Sequence, residues 1–128
     1  MAGALTPRRR ALLAAGAALL LAGHAGLAAA ADGADLFATH CAECHSLREG
    51  RDKVGPSLFG INGRTAAASA GFAYSEAMRR SAIQWNGLTL DAYLEAPAAR
   101  VPGNRMGFGG LPDAAERKAL IAYLAGIK

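Results

Sequence analysis

Two cysteines and a histidine lie within the five residues Cys41-Ala42-Glu43-Cys44-His45, and these are the only cysteines of the 128-residue chain. Two residues between the cysteines and a histidine directly after the second are typical of covalent haem attachment. Positions three apart share one face of a helix, so both thiols could reach the vinyl groups on one edge of a porphyrin. The imidazole of His45 would then lie beside the ring and could bind its iron. The motif predicts a c-type haem.

Other uses of paired cysteines fit this sequence less well. A zinc site needs about four ligands, and outside the first 31 residues all Cys and His residues are crowded between His40 and His45. A thioredoxin-like pair normally begins a helix after a strand, whereas residues 34–40 already have the pattern of a helix. A thiol oxidoreductase without haem stays as an alternative, and it predicts a colourless protein in which Cys41 and Cys44 are free or paired.

The first 31 residues have the composition of a secretory signal peptide. Three arginines at 8–10 precede an apolar stretch from 11 to about 27, and the small residues 29–31 follow. A membrane span needs about 20 apolar residues and has no such small-residue exit. We expect cleavage after Ala31 following export by the general secretory route, which leaves a periplasmic domain of residues 32–128. An uncleaved signal anchor is the alternative.

Loss of this segment changes the charge of the chain. Lys plus Arg falls from 14 to 11, because Arg8, Arg9 and Arg10 leave, while the 10 acidic residues stay. A net charge near +1 argues against nucleic acid as a partner. In an oxidising compartment the two cysteines could form a disulfide, but thioether bonds to haem would use both thiols. A domain this small buries a modest core, to which a haem would add apolar volume.

Helical patterns and long loops alternate along residues 32–128. The predicted helices cover about 33–46, 76–81, 90–96 and a last segment that starts at Asp113 and carries apolar residues to Ile127, with Ser75, Thr89 and Asp113 as N-terminal caps and Glu116 completing a capping box. The intervening loops, 47–73 and 97–111, are rich in glycine or proline. No strand pattern competes. Loops this long in so small a domain need a large rigid group to organise them, and haem is such a group.

The whole span 32–128 resembles class I cytochrome c, in the branch of cytochrome c2 and the mitochondrial-type proteins. Besides the haem motif, the resemblance rests on segments in the family's order and spacing: Val54-Gly55-Pro56-Ser57-Leu58-Phe59-Gly60 with Gly63-Arg64, then Gly71-Phe72-Ala73-Tyr74, then residues 101–110 around Met106, then Leu120-Ile121-Ala122-Tyr123-Leu124. It implies an all-α fold, the small cytochrome c fold, in which helices and long loops wrap around one covalently bound haem.

The resemblance implies that Met106 is the sixth iron ligand, opposite His45. A neutral thioether favours ferrous over ferric iron and raises the reduction potential. Met106 lies in a Gly- and Pro-rich loop with no helical stripe to join, whereas Met78 falls in a short helix and is expected to pack against the core. The carbonyl of Pro56 is implied to accept the Nδ1 proton of His45, which would orient the imidazole.

Further residues match family positions around the cofactor. The side chains implied to hydrogen-bond the haem propionates or their close neighbours are Arg64, Tyr74, Trp85 and Asn104. Tyr93 matches the position whose hydroxyl approaches the sulfur of Met106. Gly33 and Phe37 match the contact of the first helix with the last one, where Tyr123 and Leu124 would meet them.

Two filled axial positions leave no coordination site for a substrate, and no nucleophile is paired with a base elsewhere. The expected function is therefore not enzymatic. The resemblance implies a monomeric, soluble one-electron carrier between a membrane quinol-oxidising cytochrome complex and a terminal oxidase or photosynthetic reaction centre. The alternative is a haem peroxidase or gas-binding protein with Met106 off the iron, for which Tyr93 is the sole candidate acid or base.

The sequence departs from the mitochondrial-type members in its charges. Residues 32–128 contain three lysines, Lys53, Lys118 and Lys128. Lys53 and Arg105 match the lysine ring around the haem edge, while the positions that often carry lysine in the family hold His40, Ala98, Ala99, Pro112 and Asp113. We expect weakly steered docking and a mild dependence of electron transfer on salt. Whether Arg79, Arg80 and Arg100 form a docking patch depends on the fold.

Overall fold

The computed structural model describes residues 31–128, so the predicted signal peptide and its cleavage lie almost wholly outside the described residues. Five helices follow one another in this part of the chain: α1 (Gly33–His40), α2 (Glu76–Ser81), α3 (Gly87–Glu95), α4 (Pro97–Arg100) and α5 (Ala114–Ala125). Across residues 31–128 the extended structure is limited to one isolated bridge between Thr65 and Gln84. The prediction of an all-α fold is confirmed.

Side-chain oxygens start the helices at two of the predicted positions. Ser75 accepts a hydrogen bond from the N–H of Met78 at 3.0 Å, and Asp113 accepts one from Glu116 at 2.9 Å. Each bond satisfies an amide that has no partner within the first helical turn. The predicted starts of α2 and α5 are therefore confirmed.

The predicted start of α3 is wrong. Asn86 is the cap, and its Oδ1 accepts from the amides of Leu88 and Thr89 at 2.9 and 3.1 Å. Thr89 lies in the first turn and its hydroxyl accepts from the Asn86 amide at 2.9 Å, which completes a capping box. The side-chain oxygen of Asn86, three residues before Thr89, accepts from two backbone N–H groups, so the helix begins at Gly87 and not after Thr89. The short helix α4 also interrupts the predicted loop 97–111, with Pro97 in its first turn.

The first helix is shorter than predicted. α1 ends at His40, and the haem motif follows in turns closed by hydrogen bonds from the Cys44 and His45 amides to the Cys41 carbonyl at 3.1 and 2.8 Å. The helix ends where the amides of Cys41 and Ala42 both donate to the Phe37 carbonyl at 2.9 Å, and further along the amide of Gly55 donates to the Cys44 carbonyl at 2.8 Å. The thiols therefore share a turn beyond α1 instead of one face of a continuous helix.

The helices α1 and α5 pack closely at Gly33. A Cβ at this position would lie 2.6 Å from the Cβ of Tyr123 and 3.0 Å from the carbonyl carbon of Ala119, so only glycine permits this approach. One turn later, the rings of Phe37 and Tyr123 lie with their centroids 6.2 Å apart. This confirms the predicted contact of Gly33 and Phe37 with Tyr123.

The core lies between these helices and the two long loops. Its buried apolar residues are Leu36, Phe37, Cys41, Ile61, Ala66, Trp85, Leu90, Tyr93, Leu94, Val101, Leu111, Leu120 and Leu124. Met78 is partly buried against this cluster, as predicted. None of the helices within residues 31–128 combines the length and apolar composition needed to cross a membrane.

Candidate haem site

The two cysteines of the motif are not joined by a disulfide and differ in environment. Cys41 is buried and Cys44 is exposed. Burial, reinforced by the neighbouring Cys44, raises the pKa of the Cys41 thiol to about 11. Thiol–disulfide catalysis depends on a cysteine whose pKa is lowered, because the thiolate is the nucleophile. The protein environment of Cys41 therefore does not suit a thiol oxidoreductase, whereas both thiols belong to one turn that could tether a porphyrin edge.

The imidazole of His45 is held in one tautomer. Its Nδ1 lies 2.7 Å from the carbonyl oxygen of Pro56. Because a carbonyl only accepts, Nδ1 must carry the proton and Nε2 keeps its lone pair. Burial lowers the pKa of His45, an effect that the nearby charge of Lys53 increases and the Pro56 bond opposes. The half-buried ring is thus a neutral imidazole with one nitrogen available to a metal.

The backbone of Gly55 lies directly against this ring, in space that a side chain would fill. A Cβ built on Gly55 would lie 2.8 Å from Nδ1 and 3.0 Å from Nε2 of His45, well inside van der Waals contact. The position was part of the sequence resemblance but was not predicted as a site residue. Its signal in the sequence was a Gly-Pro pair ten and eleven residues beyond the histidine, although such pairs are common in turns.

The predicted ligand Met106 lies half-buried in the loop between α4 and α5, here called the Met loop (101–113). Its amide donates to Oδ1 of Asn104 at 2.9 Å, and the Asn104 Nδ2 group donates to the carbonyls of Pro97 and Val101, both at 2.9 Å. The Asn104 side chain thus joins the start of α4 to the backbone of its own loop and sets the position of the Met106 backbone.

The hydroxyl of Tyr93 approaches the Met106 sulfur at 3.9 Å, as the resemblance implied. Burial raises the pKa of Tyr93 to about 12, so the hydroxyl keeps its proton at neutral pH and can donate to sulfur. The ring of Tyr93 also packs on Trp85, with centroids 5.0 Å apart. Tyr93 therefore joins the Met loop to the buried Trp85.

The far end of the Met loop is fastened by Arg117, which sequence reasoning missed. Its side chain is 6% exposed, and Nη1 donates to the carbonyls of Leu111 and Pro112 at 2.9 and 2.8 Å. Its Nε donates to Asp91 on α3 at 2.8 Å. Leu111 itself donates to the Leu94 carbonyl at 2.8 Å. Arg117 thus ties the loop, α3 and α5 together, a role that depends on contacts distant in sequence.

Arg64 carries a polar atom that the chain does not satisfy. Its terminal nitrogens donate to the carbonyls of Phe59 and Ser57 at 2.9 and 3.0 Å. Its Nε is buried and has no hydrogen-bond partner within the described residues. Burying such a group without a partner costs about 1–3 kcal/mol. An acceptor outside the protein chain, such as a haem carboxylate, would satisfy it.

Trp85 and Tyr74 are the remaining predicted contacts of the propionates. Trp85 is buried, and its amide donates to the Arg64 carbonyl at 2.8 Å, which places these two residues side by side. The Tyr74 hydroxyl accepts from the Ser69 amide at 3.2 Å, and its ring meets the edge of Phe72. Successive contacts thus link Arg64 to Trp85, Trp85 to Tyr93, and Tyr93 to Met106. Tyr74 instead contacts Ser69 and Phe72, in the loop before α2.

The residues present fit a covalently bound haem. Two thiols share one turn, the neighbouring imidazole is neutral with a free nitrogen, a thioether is fixed within reach of a tyrosine hydroxyl, and the Arg64 Nε lacks an acceptor. A haem held by this set supplies an iron centre that gains or loses one electron.

Known proteins share this pattern. The family model for cytochrome c matches residues 30–128, a span that contains the motif and Met106. Cytochrome c of Gibberella zeae is 46% identical over 93 residues, which cover 72% of this chain and 88% of the relative. Cytochrome c2 of Rhodopila globiformis is 45% identical over 97 residues, or 76% and 92% of the two chains. The structure of cytochrome cH from Methylobacterium extorquens superposes with a TM-score of 0.69 at 36% identity, covering 74% of this chain and 95% of that one.

Proposed function

The chain belongs to the cytochrome c family, and we propose that it carries single electrons between membrane-bound complexes in the periplasm. At the level of the family, it is an electron carrier and not an enzyme, with haem c bound covalently through Cys41 and Cys44. The finer proposal names a quinol-oxidising cytochrome complex as the donor and a terminal oxidase or photosynthetic reaction centre as the acceptor.

One observation carries this proposal: both prospective axial ligands are held by neighbours of the same chain. Pro56 fixes the imidazole of His45 at 2.7 Å, and Asn104 fixes the backbone of Met106 at 2.9 Å. Ligands held in this way leave no open coordination position for a substrate, which supports a carrier over a peroxidase or gas-binding protein. They also need to move little when the charge of the iron changes, which favours rapid electron exchange.

The surrounding residues have supporting roles in this proposal. Gly55 leaves room for the imidazole plane, and Pro56 keeps its Nδ1 proton in place. Tyr93 donates its proton towards the sulfur of Met106 without releasing it. Arg64 offers its unsatisfied Nε to a propionate, which offsets the cost of burying a carboxylate.

Periplasmic location is proposed from the N-terminal segment. The arginines at 8–10, the apolar stretch and the small residues 29–31 are those of a secretory signal. Similarity to a bacterial cytochrome c2 is consistent with this. Cell fractionation followed by mass spectrometry tests the proposal. A chain starting at Asp32 in the periplasmic fraction supports it, a retained N-terminus in the membrane fraction supports the uncleaved anchor, and a chain confined to the cytoplasm contradicts periplasmic location.

Visible spectra of the exported protein test the ligands. Sharp c-type bands after reduction with dithionite, together with the weak far-red band of ferric iron bound to methionine sulfur, are expected for the wild type. Met106→Leu should abolish the far-red band, whereas Met78→Leu, which changes a methionine of α2 that packs against the core, should retain it. Haem bands without the far-red band in the wild type would contradict ligation by Met106 and favour the enzyme alternative. If the exported protein contains no haem, the result would favour the alternative of a thiol oxidoreductase that uses Cys41 and Cys44.

A further inference from the structure

One peptide group lies between the imidazole of His45 and a carboxylate. The carbonyl of Pro56 accepts the Nδ1 proton of His45 at 2.7 Å. The nitrogen of the same peptide bond belongs to Ser57, and its N–H donates to Oδ1 of Asp52 at 2.8 Å. The carbonyl and the N–H of a planar trans peptide point in opposite directions, so the two hydrogen bonds extend from opposite ends of one group. Asp52 therefore reaches His45 through a single peptide unit.

This peptide group is shielded from water and fixed by its neighbours. Ser57 is 2% exposed, and its hydroxyl donates to the Arg48 carbonyl at 2.6 Å. The next amide, that of Leu58, donates to the Ser46 carbonyl at 2.9 Å. Away from solvent, a charge is screened less and the hydrogen bonds of a chain polarise one another. The charge of Asp52 thus acts on a peptide that cannot turn away from it.

The carboxylate of Asp52 is partly buried and is not neutralised by an ion pair with any of residues 31–128. Its neighbours in sequence, Arg51 and Lys53, are exposed, and the ammonium of Lys53 donates to the carbonyl of Ala42. A second and longer hydrogen bond to Asp52 comes from the hydroxyl of Ser69 at 3.5 Å. The negative charge is therefore directed mainly at the Ser57 amide.

We propose that Asp52 is a positioning residue for His45, which acts through the peptide bond between Pro56 and Ser57 to lower the reduction potential of the haem. The inference rests on the proposed carrier function, in which His45 is an axial ligand. It adds to the Pro56 hydrogen bond an anionic group that strengthens this bond from the far side of the peptide.

The direction of the effect follows from the polarity of each bond. A charged acceptor forms a shorter and stronger hydrogen bond than a neutral one, so Asp52 attracts the Ser57 N–H strongly. This polarises the peptide and increases the negative charge on the Pro56 oxygen, which then attracts the Nδ1 proton of His45 more strongly. The imidazole becomes a more basic ligand through Nε2. A more basic ligand stabilises ferric iron relative to ferrous iron, which lowers the potential.

The test separates the charge of Asp52 from its hydrogen bond. Asp52→Asn keeps an oxygen that can accept from the Ser57 amide and removes the negative charge. Glu49→Gln is the matched control, because it removes the same charge from an exposed side chain three positions earlier. In redox titrations of the haem-loaded proteins, we expect Asp52→Asn to shift the equilibrium about fivefold towards the ferrous state, since a charge-assisted bond is roughly twice as strong as a neutral one. For one electron this shift equals a rise of about 40 mV. The control should shift less than about twofold, because solvent screens its charge.

A second measurement follows the hydrogen bonds themselves. NMR of the diamagnetic ferrous protein observes the Nδ1 proton of His45 and the amide proton of Ser57. Both resonances should move upfield in Asp52→Asn, because both hydrogen bonds weaken, and both should stay in place in Glu49→Gln. A purely structural role of Asp52 would lower stability without moving the two resonances together.

The outcomes separate this inference from the carrier function. Equal changes of potential in Asp52→Asn and Glu49→Gln would assign the effect to charge at a distance and overturn the role of the peptide. An unchanged potential, or an Nδ1 resonance of His45 that does not move, would overturn it too, while the far-red band of the same samples leaves the carrier function in place. A wild type without c-type bands or without the far-red band would refute the proposed ligands, and the role of Asp52 would fail with them.

Discussion

The hydroxyl of Tyr93 lies 3.9 Å from the sulfur of Met106. A hydrogen bond from the hydroxyl withdraws electron density from the sulfur. A sulfur that donates less electron density to the iron stabilises the ferric state less. Tyr93→Phe keeps the ring on Trp85 and removes only the hydroxyl, so the reduction potential should fall. The contact is long, so we expect the lower end of a net hydrogen bond, about 0.5 kcal/mol or roughly 20 mV for one electron.

Redox titration of both proteins measures this shift. Tyr123→Phe is the control, because this tyrosine packs against Phe37 where α1 meets α5 and has no role at the methionine or the propionates. An unchanged or higher potential in Tyr93→Phe, with the far-red band intact, would show that the hydroxyl does not tune the sulfur.

Haem attachment and the fold could be predicted from the sequence because covalent tethering imposes a fixed spacing on Cys41, Cys44 and His45. The contact of Gly33 with α5 was also accessible through the family resemblance. Arg117 was not, since its partner Asp91 is 26 residues away and an arginine in an amphipathic helix normally faces solvent. The end of α1 was misplaced because the helix-like spacing of Phe37, Cys41 and Cys44 continues through the haem motif, whereas the Cys41 and Ala42 amides share the Phe37 carbonyl and the helix ends at His40.

Gly55→Ala is expected to displace the imidazole of His45. The added Cβ would lie 2.8 Å from Nδ1, and the neighbouring backbone is tied to Cys44, so the ring is the group that must move. A displaced ring loses the Pro56 bond and opens a coordination position. The reduced variant should bind carbon monoxide upon mixing, whereas the wild type should not. Gly87→Ala, whose Cβ would meet no atom within 4 Å, is the control.

Gly33→Ala tests the packing of α1 on α5. Gly33 and Gly87 are each the first residue of a helix, but only Gly33 lies against another backbone. We expect Gly33→Ala to lower the free energy of unfolding by about 1–3 kcal/mol, the usual cost of overpacking. Gly87→Ala should be neutral or stabilise by up to about 1 kcal/mol, because alanine restricts the unfolded chain. Urea unfolding of the holoprotein measures both, and equal effects would contradict the close approach.

Arg117→Met is expected to loosen the Met loop before the helices unfold. The substitution removes the donors that hold the carbonyls of Leu111 and Pro112 and leaves a side chain of similar length in the same buried space. Asp91 loses its partner too, but its side chain is 44% exposed and can be hydrated. The stronger effect therefore falls on the two carbonyls at the base of the loop that carries Met106.

Heating the ferric protein distinguishes loss of the Met106 ligand from unfolding of the helices. In the wild type the far-red band and the helical circular dichroism should disappear together. In Arg117→Met the far-red band should be lost first, at a midpoint lower by about 5 °C or more. Lys118→Met alters the next, exposed position of the same helix and should leave the two midpoints together. Coincident midpoints in Arg117→Met would mean that Arg117 stabilises the whole domain and does not position the methionine.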